Sequence, residues 1–181
     1  SDGDRTDVVP APAVSPVYTQ VLAPAVVEPT REYSPTLREA LERARAVLHI
    51  RELRPGQAEV IESVLSGRDT LAVMPTGSGK SLTYQLPALW LPGPTLVVSP
   101  LLALIEDQVG KMKAAGVAVA RIDSTRTVKE RAADLEAVRE GKTRVVLITP
   151  ESVCSPAVQE TLDGMKFSLF CVDEAQCVSQ W

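Results

Sequence analysis

Two clusters of residues in this chain have the types and spacing for phosphate chemistry. The first is Thr76-Gly77-Ser78-Gly79-Lys80-Ser81, which follows the apolar run Thr70–Val73 and Pro75 and opens a helical pattern. Strand, glycine-rich loop, then Lys-Ser at a helix start is the layout of a phosphate-binding loop. Glycines let successive backbone N–H groups converge on one anion, and the helix N-terminus adds partial positive charge. Lys80 is placed to reach the β- and γ-phosphates of ATP, and Ser81 to ligate Mg²⁺. The second cluster is Asp173-Glu174, two acids ending the apolar run Leu169–Val172. Here Asp173 suits the metal and Glu174 suits an attacking water that it orients and deprotonates. Candidate catalytic residues are therefore Lys80 and Glu174, and candidate Mg²⁺ ligands are Ser81 and Asp173. The phosphate cradle is Thr76, Gly77, Ser78, Gly79, Lys80 and Ser81.

The strict phosphate-loop pattern opens with a glycine where Met74 stands, so the match is to the Thr-Gly-x-Gly-Lys-Ser variant. A glycine-rich turn with a chance Lys-Ser is the competing reading of that stretch. Two acids after a strand are weak taken alone, and the pairing of the two clusters is what gives them weight.

The elements that must position these groups follow from periodicity. Residues 1–35 carry six of the 14 prolines and read as an extended, disordered Pro/Ala/Val-rich leader without helix or central strand. From Thr36, Leu37, Leu41, Ala44 and Leu48 share one helix face, with Ser34 as N-cap. Arg54-Pro55-Gly56-Gln57 interrupts, and a second helix turns Val60, Ile61, Val64 and Leu65 inward until Gly67 ends it. Past the loop, helices over 80–91, 101–115 and 128–140 and a short one near 157–162 alternate with strands over 95–99, 117–122, 144–149 and 167–172. Stripes of Leu102, Ile105, Val109 and Met112, and of Val128, Ala132, Leu135 and Val138, mark inward helix faces. Such alternation predicts an α/β fold, a parallel sheet covered by helices, with ligands at the carboxyl ends of the strands. Both clusters sit at such ends.

Composition narrows the classes. A chain of 181 residues with 45% hydrophobic and 23% charged residues is long enough for one globular domain with an appendage. The net charge of −4 gives no overall basic footprint for nucleic acid, which leaves only a local groove for that role. One histidine and three cysteines without paired spacing exclude a zinc site and fit a reducing, intracellular compartment, cytoplasmic or nuclear. Cys171 reads as core. The longest apolar run, Leu91–Ile105, is broken by Pro92, Gly93, Pro94 and Pro100, so no membrane span is expected. Ser1 and Trp181 read as internal points of a longer protein.

Seven segments together carry a closer likeness. Leu53–Gln57, Val73–Ser81, Val98–Leu101, Asp107–Val109, Ser124-Thr125, Thr149–Glu151 and Asp173–Trp181 resemble the RecQ family of DNA helicases, in that family's order, over about Leu48–Trp181. Arg54-Pro55-Gly56-Gln57 and Cys177–Trp181 are more specific than the phosphate loop, which many ATPases share. The resemblance implies a RecA-like P-loop lobe spanning 36–181. Gln57 would read the adenine edge, an amide suiting its neighbouring donor and acceptor, and Arg54 would support that pocket. Ser99, Ser124 and Thr125 would line a single-strand path, contacting phosphates without reading sequence. Trp181 would open an aromatic-rich loop linking DNA contact to hydrolysis.

This chain departs from that family's pattern in places. Ile50 stands where an aromatic residue usually stacks on adenine, and Gln176 where the acid motif usually has His. The resemblance also implies a further strand between the phosphate-loop strand and the Asp173 strand, so without it a gap and unpaired backbone are expected. A second lobe with an arginine finger is likewise implied, and the 181 residues alone are expected not to unwind DNA. The implied activity is Mg-ATP hydrolysis driving 3′ to 5′ translocation on single-stranded or branched DNA, in genome maintenance; no protein partner is legible. Two alternatives stand beside it: another two-lobed ATPase, such as an RNA helicase or chromatin-type translocase, and a nucleotide-binding regulatory module without turnover.

Overall fold

A computed structural model describes residues 19–22, 32–75 and 77–180. The elements in chain order are β1 (Thr19–Leu22), α1 (Pro35–Leu48), α2 (Gln57–Leu65), β2 (Thr70–Val73), α3 (Leu82–Trp90), β3 (Thr95–Val98), α4 (Leu102–Ala114), β4 (Val119–Ile122), α5 (Val128–Arg139), β5 (Val145–Ile148), α6 (Pro150–Val153), α7 (Pro156–Asp163) and β6 (Leu169–Val172), followed by a 3₁₀ turn over Ala175–Gln180. The alternation read from periodicity is thus the architecture found, with short helices α6 and α7 where one was expected. The predicted start and stop signals operate: the Ser34 hydroxyl accepts from the Leu37 N–H at 3.2 Å, and Gly67, at φ +73°, follows the end of α2.

Strands β4, β5, β3 and β6 form a wholly parallel sheet in that spatial order. Alternate residues of its inner strands feed two cores. Val97, Val145 and Leu147 pack under α3 and α4 against Tyr84, Ile105 and Met112. Leu96, Val98, Val146 and Ile148 pack on the other face against Val138 of α5 and Val158 of α7. Covered on both faces, β3 and β5 are apolar at every position but Thr95, which is why their sequences do not alternate. A third cluster joins α1 and α2 to α3 through Leu37, Leu41, Ile61 and Leu86. Removing each such side chain from water contributes about 1.5–3 kcal/mol, and this packing seats the Arg54–Gln57 turn beside the phosphate loop.

The structure differs from the sequence expectations in three places. Strand β2 makes no ladder with β3–β6, which is the gap the resemblance implies, and this leaves its Leu71 and Val73 45% and 50% exposed, where the apolar run alone read as a buried strand. Phe170 of β6 is 60% exposed as well, so the two strands that carry the chemistry are flanked by open apolar surface. Second, four proline-free residues of the leader, Thr19–Leu22, pair in parallel with β2 from Thr19↔Thr70 to Leu22↔Val73. Their N–H groups are free to join a ladder, which the surrounding prolines are not; the leader over 1–18 and 23–31 lies outside the described residues. Third, α5 packs only by its C-terminal half. Val128 is 77% exposed and Ala132 is exposed, while Leu135 and Val138 turn inward. That helix is fixed at its start by a capping box between Thr127 and Glu130 instead of by burial.

Candidate functional site

The loop from β2 to α3 carries the first cluster. Gly77 and Gly79 have φ of +78° and +82°, the left-handed region that costs other residues about 1–2 kcal/mol. At Gly79 a side chain is also excluded by space, since a Cβ there would lie 2.6 Å from Nε2 of Gln57. Ser78 Oγ is buried with no hydrogen-bond partner. Helix α3 begins right after Ser81, so the loop runs into a helix N-terminus as expected. Thr76 lies outside the described residues.

The α1–α2 turn holds this loop from behind. Arg54 Nη1 donates to the Gly77 carbonyl at 2.7 Å, and Gln57 Nε2 donates to the carbonyls of Gly79 at 2.9 Å and Ser78 at 3.3 Å. Gln57 Oε1 accepts from the Arg54 N–H at 2.7 Å, and the side chain is 2% exposed. Both ends of the amide are therefore engaged with backbone. Reading an adenine edge requires these bonds to be exchanged, a condition the motif does not reveal. Ile50, Arg54 and Gln57 line a cavity of about 1010 Å³ that reaches Gln85 on α3 and Gln108 and Lys111 on α4.

Strand β6 delivers the second cluster. The Asp173 N–H donates to the Val98 carbonyl at 2.8 Å, extending the β3–β6 ladder and fixing the acid at the carboxyl end of the sheet. Glu174 then turns at φ +53°, with its N–H donating to Asp173 Oδ1 at 3.0 Å. Its carboxylate meets the first cluster, Lys80 Nζ standing 3.2 Å from Glu174 Oε1. Gln176 Nε2 donates to the other oxygen, Oε2. These two bonds, Gln176 first and Lys80 second, hold the Glu174 carboxyl below the usual carboxylate range. Burial, with the Glu174 charge beside it, pushes Asp173 the opposite way. One carboxylate is thus set as an ionised, oriented acceptor, and the other sits where a cation would relieve it.

A second cavity, of about 290 Å³, is shared by Arg54, Gly77, Gly79, Lys80, Ser81, Leu104, Asp173 and Glu174. The Ser81 hydroxyl and Asp173 carboxylate among its lining groups fit a hard cation such as Mg²⁺, which takes few protein ligands and keeps phosphates and waters. No group of three or more His, Cys, Asp or Glu able to hold a metal occurs among the described residues, so a closed protein cage is not the alternative.

The proposed nucleic-acid residues are placed unequally. Ser124 is exposed. The Thr125 hydroxyl is occupied, donating to Asp123 Oδ1 at 2.5 Å and accepting from Arg121 Nη2 at 3.1 Å. Ser99 is 1% exposed, its Oγ buried without a partner. Trp181 lies outside the described residues. Cys171 is part of the core margin, its thiol pushed up to about 12 by burial and then by Asp173. Sequence reasoning missed Tyr84, buried one turn beyond Ser81, with burial and then the Asp173 charge raising its phenol. Gln108, within the Asp107–Val109 segment of the resemblance but given no role there, is buried on α4 and accepts from Gln85 Nε2. Polar types on an apolar helix face were the available signal. No described helix is long and apolar enough to cross a membrane.

Comparison with known proteins gives the chain a family. Residues 54–181 match the family model described as DEAD/DEAH box helicase. The chain is 47% identical over 129 residues to the probable ATP-dependent DNA helicase RecS of Bacillus subtilis, covering 71% of this chain and 26% of that protein. It is 38% identical to the ATP-dependent DNA helicase RecQ of Pasteurella multocida, over 81% of this chain and 23% of that one. It is 39% identical to human ATP-dependent DNA helicase Q4, over 95% and 14%. The RecQ likeness read from the motifs is thus the likeness found, and the chain spans about a quarter or less of these relatives. Among solved structures, a hypothetical ATP-dependent RNA helicase from Sulfolobus tokodaii superposes with a TM-score of 0.64 at 25% identity, over 78% of this chain and 43% of that one.

Proposed function

This chain belongs to the DEAD/DEAH box helicase family, and from that membership we propose that it is the ATP-binding lobe of a RecQ-like DNA helicase. The observation that carries the proposal is the convergence of Lys80, Ser81, Asp173 and Glu174 on one cavity at the carboxyl ends of β2 and β6. The P-loop amides, Ser78 and the N-terminus of α3 receive the phosphates of ATP. Lys80 exchanges its bond to Glu174 for the β- and γ-phosphates, freeing Glu174 Oε1 to accept a proton from the attacking water. Ser81 and Asp173 are the residues that would hold Mg²⁺, which when bound neutralises charge developing on the phosphates. Ile50, Arg54 and Gln57 form the base side of the site.

Single-stranded or branched DNA is the proposed track, because RecQ and RecS, among the relatives, are named DNA helicases. Hydrolysis on this lobe drives its movement against a second, 3′ to 5′ along one strand. Ser124 offers the exposed phosphate contact; Ser99 and Thr125 contact DNA only after local rearrangement. The test is steady-state ATP hydrolysis by the full-length protein with no nucleic acid, with single-stranded DNA and with single-stranded RNA, beside Lys80→Ala and Glu174→Gln. Stimulation by DNA that both variants abolish supports the proposal. Stimulation by RNA alone would assign it to the RNA helicases, and ATP binding without turnover would leave a regulatory module.

A further inference from the structure

Glu174 is held by more bonds than a surface acid needs. It is one of two non-glycine described residues with positive φ, the other being His49 at the end of α1. A left-handed glutamate persists only when its surroundings fix it. Four groups do so. Asp173 Oδ1 accepts its N–H at 3.0 Å, its carbonyl accepts the Cys177 N–H at 2.8 Å, Lys80 takes Oε1 at 3.2 Å, and Gln176 takes Oε2. These bonds differ in permanence. Lys80 is the residue a phosphate would draw away, which frees Oε1 and leaves the side chain with one remaining tether, the Gln176 amide. That amide is contributed two residues further along, from the 3₁₀ turn that begins at Ala175, so it moves with the backbone that follows Glu174.

We propose that Gln176 is a positioning residue for Glu174, anchoring Oε2 through its Nε2–H so that Oε1 alone faces the attacking water once Lys80 has turned to the phosphates. This rests on the reading of Glu174 as general base. A neutral amide is suited to the task. It donates to the carboxylate through a fixed N–H, and it cannot take the proton for itself. Its contact is with the base and not with the phosphates, so it belongs to the chemical step and not to ATP capture.

The experiment is steady-state ATP hydrolysis by the full-length protein at saturating single-stranded DNA, comparing Gln176→Ala, Gln176→Asn and Gln176→His, with Glu174→Gln as control. Loss of a hydrogen bond to a charged group predicts kcat lower by about tenfold in Gln176→Ala, with KM for ATP within about twofold. Gln176→Asn, whose amide falls one methylene short, is expected to match it, and covers the case in which the alanine variant does not fold. Gln176→His, which restores an N–H donor, is expected to recover most of kcat. Unchanged kcat in the alanine and asparagine variants, while Glu174→Gln abolishes turnover, overturns the positioning role and leaves the base assignment standing. A loss confined to KM overturns it as well, placing Gln176 in nucleotide binding. Turnover that survives Glu174→Gln overturns the base assignment itself.

Discussion

Lys80 and Glu174, separated by 94 positions in the chain, stand 3.2 Å apart as an ion pair between the loop after β2 and the end of β6. These strands share no ladder, so the pair is a direct link across the site between the two halves of its chemistry. Both side chains are partly exposed, and such a pair contributes little to stability. Its significance is that each partner is held ready for a different ligand. Lys80→Ala is expected to weaken ATP binding by at least about tenfold, since a charge-assisted contact to phosphate is lost. Glu174→Gln is expected to keep binding and lose about 10²–10⁴ in kcat. Equilibrium binding of a fluorescent ATP analogue beside steady-state hydrolysis separates the two.

Gly79→Ala tests the fit between the loop and the α1–α2 turn. The added Cβ meets Gln57 Nε2 at 2.6 Å on a backbone at φ +82°. The conformation alone costs about 1–2 kcal/mol, and displacing Gln57 breaks its bonds to the Ser78 and Gly79 carbonyls. Lower stability in urea and weaker nucleotide binding are expected together. A variant that loses stability but binds ATP normally would show that Gln57 does not shape the loop.

Ile50 lines the same cavity as Gln57 and Arg54. Ile50→Tyr supplies an aromatic face for a base, an interaction worth about 0.5–1.5 kcal/mol. Tighter ATP binding by roughly twofold to tenfold is expected, measured as ATP affinity in variant and parent. An unchanged affinity would place the base elsewhere in the cavity.

Asp123 gives a pH dependence with a definite sign. Burial would raise its carboxyl, but bonds from Thr125 and Arg121 outweigh this and hold it below the usual carboxylate value. A depressed native pKa means stability that is present above the ordinary carboxylate value of about 4 and is lost as pH falls through the native value. Asp123→Asn should therefore be less stable at neutral pH, by about 1.5–3 kcal/mol for weakening hydrogen bonds to a charged group. The gap to the parent should narrow as pH is lowered below about 4. Urea midpoints from pH 7 to pH 2.5 measure this; a gap independent of pH would mean the carboxylate charge is not what binds the loop.

Local pattern settled much of this molecule. The 3.6-residue stripe of Leu37, Leu41 and Ala44, the uninterrupted apolar strands β3 and β5, and the glycines at positions 77 and 79 each answer to constraints within a few residues of themselves, and each formed what its sequence implied. The two candidate clusters were likewise legible, by residue type and spacing, and the fold brings Lys80, Ser81, Asp173 and Glu174 to one cavity. Tertiary structure decided the rest. Val128 carries the period of an inward face yet stands in solvent, because α5 reaches the sheet only at its far end. Thr19–Leu22 became a strand because an edge of β2 lay open beside it. Gln57 and Lys80 are polar side chains that meet the Ser78 and Gly79 carbonyls and the Glu174 carboxylate only because folding brings these near, and a hydrogen bond goes to whichever group is closest and unsatisfied. A sequence shows what a residue can donate or accept; only packing determines which partner it meets.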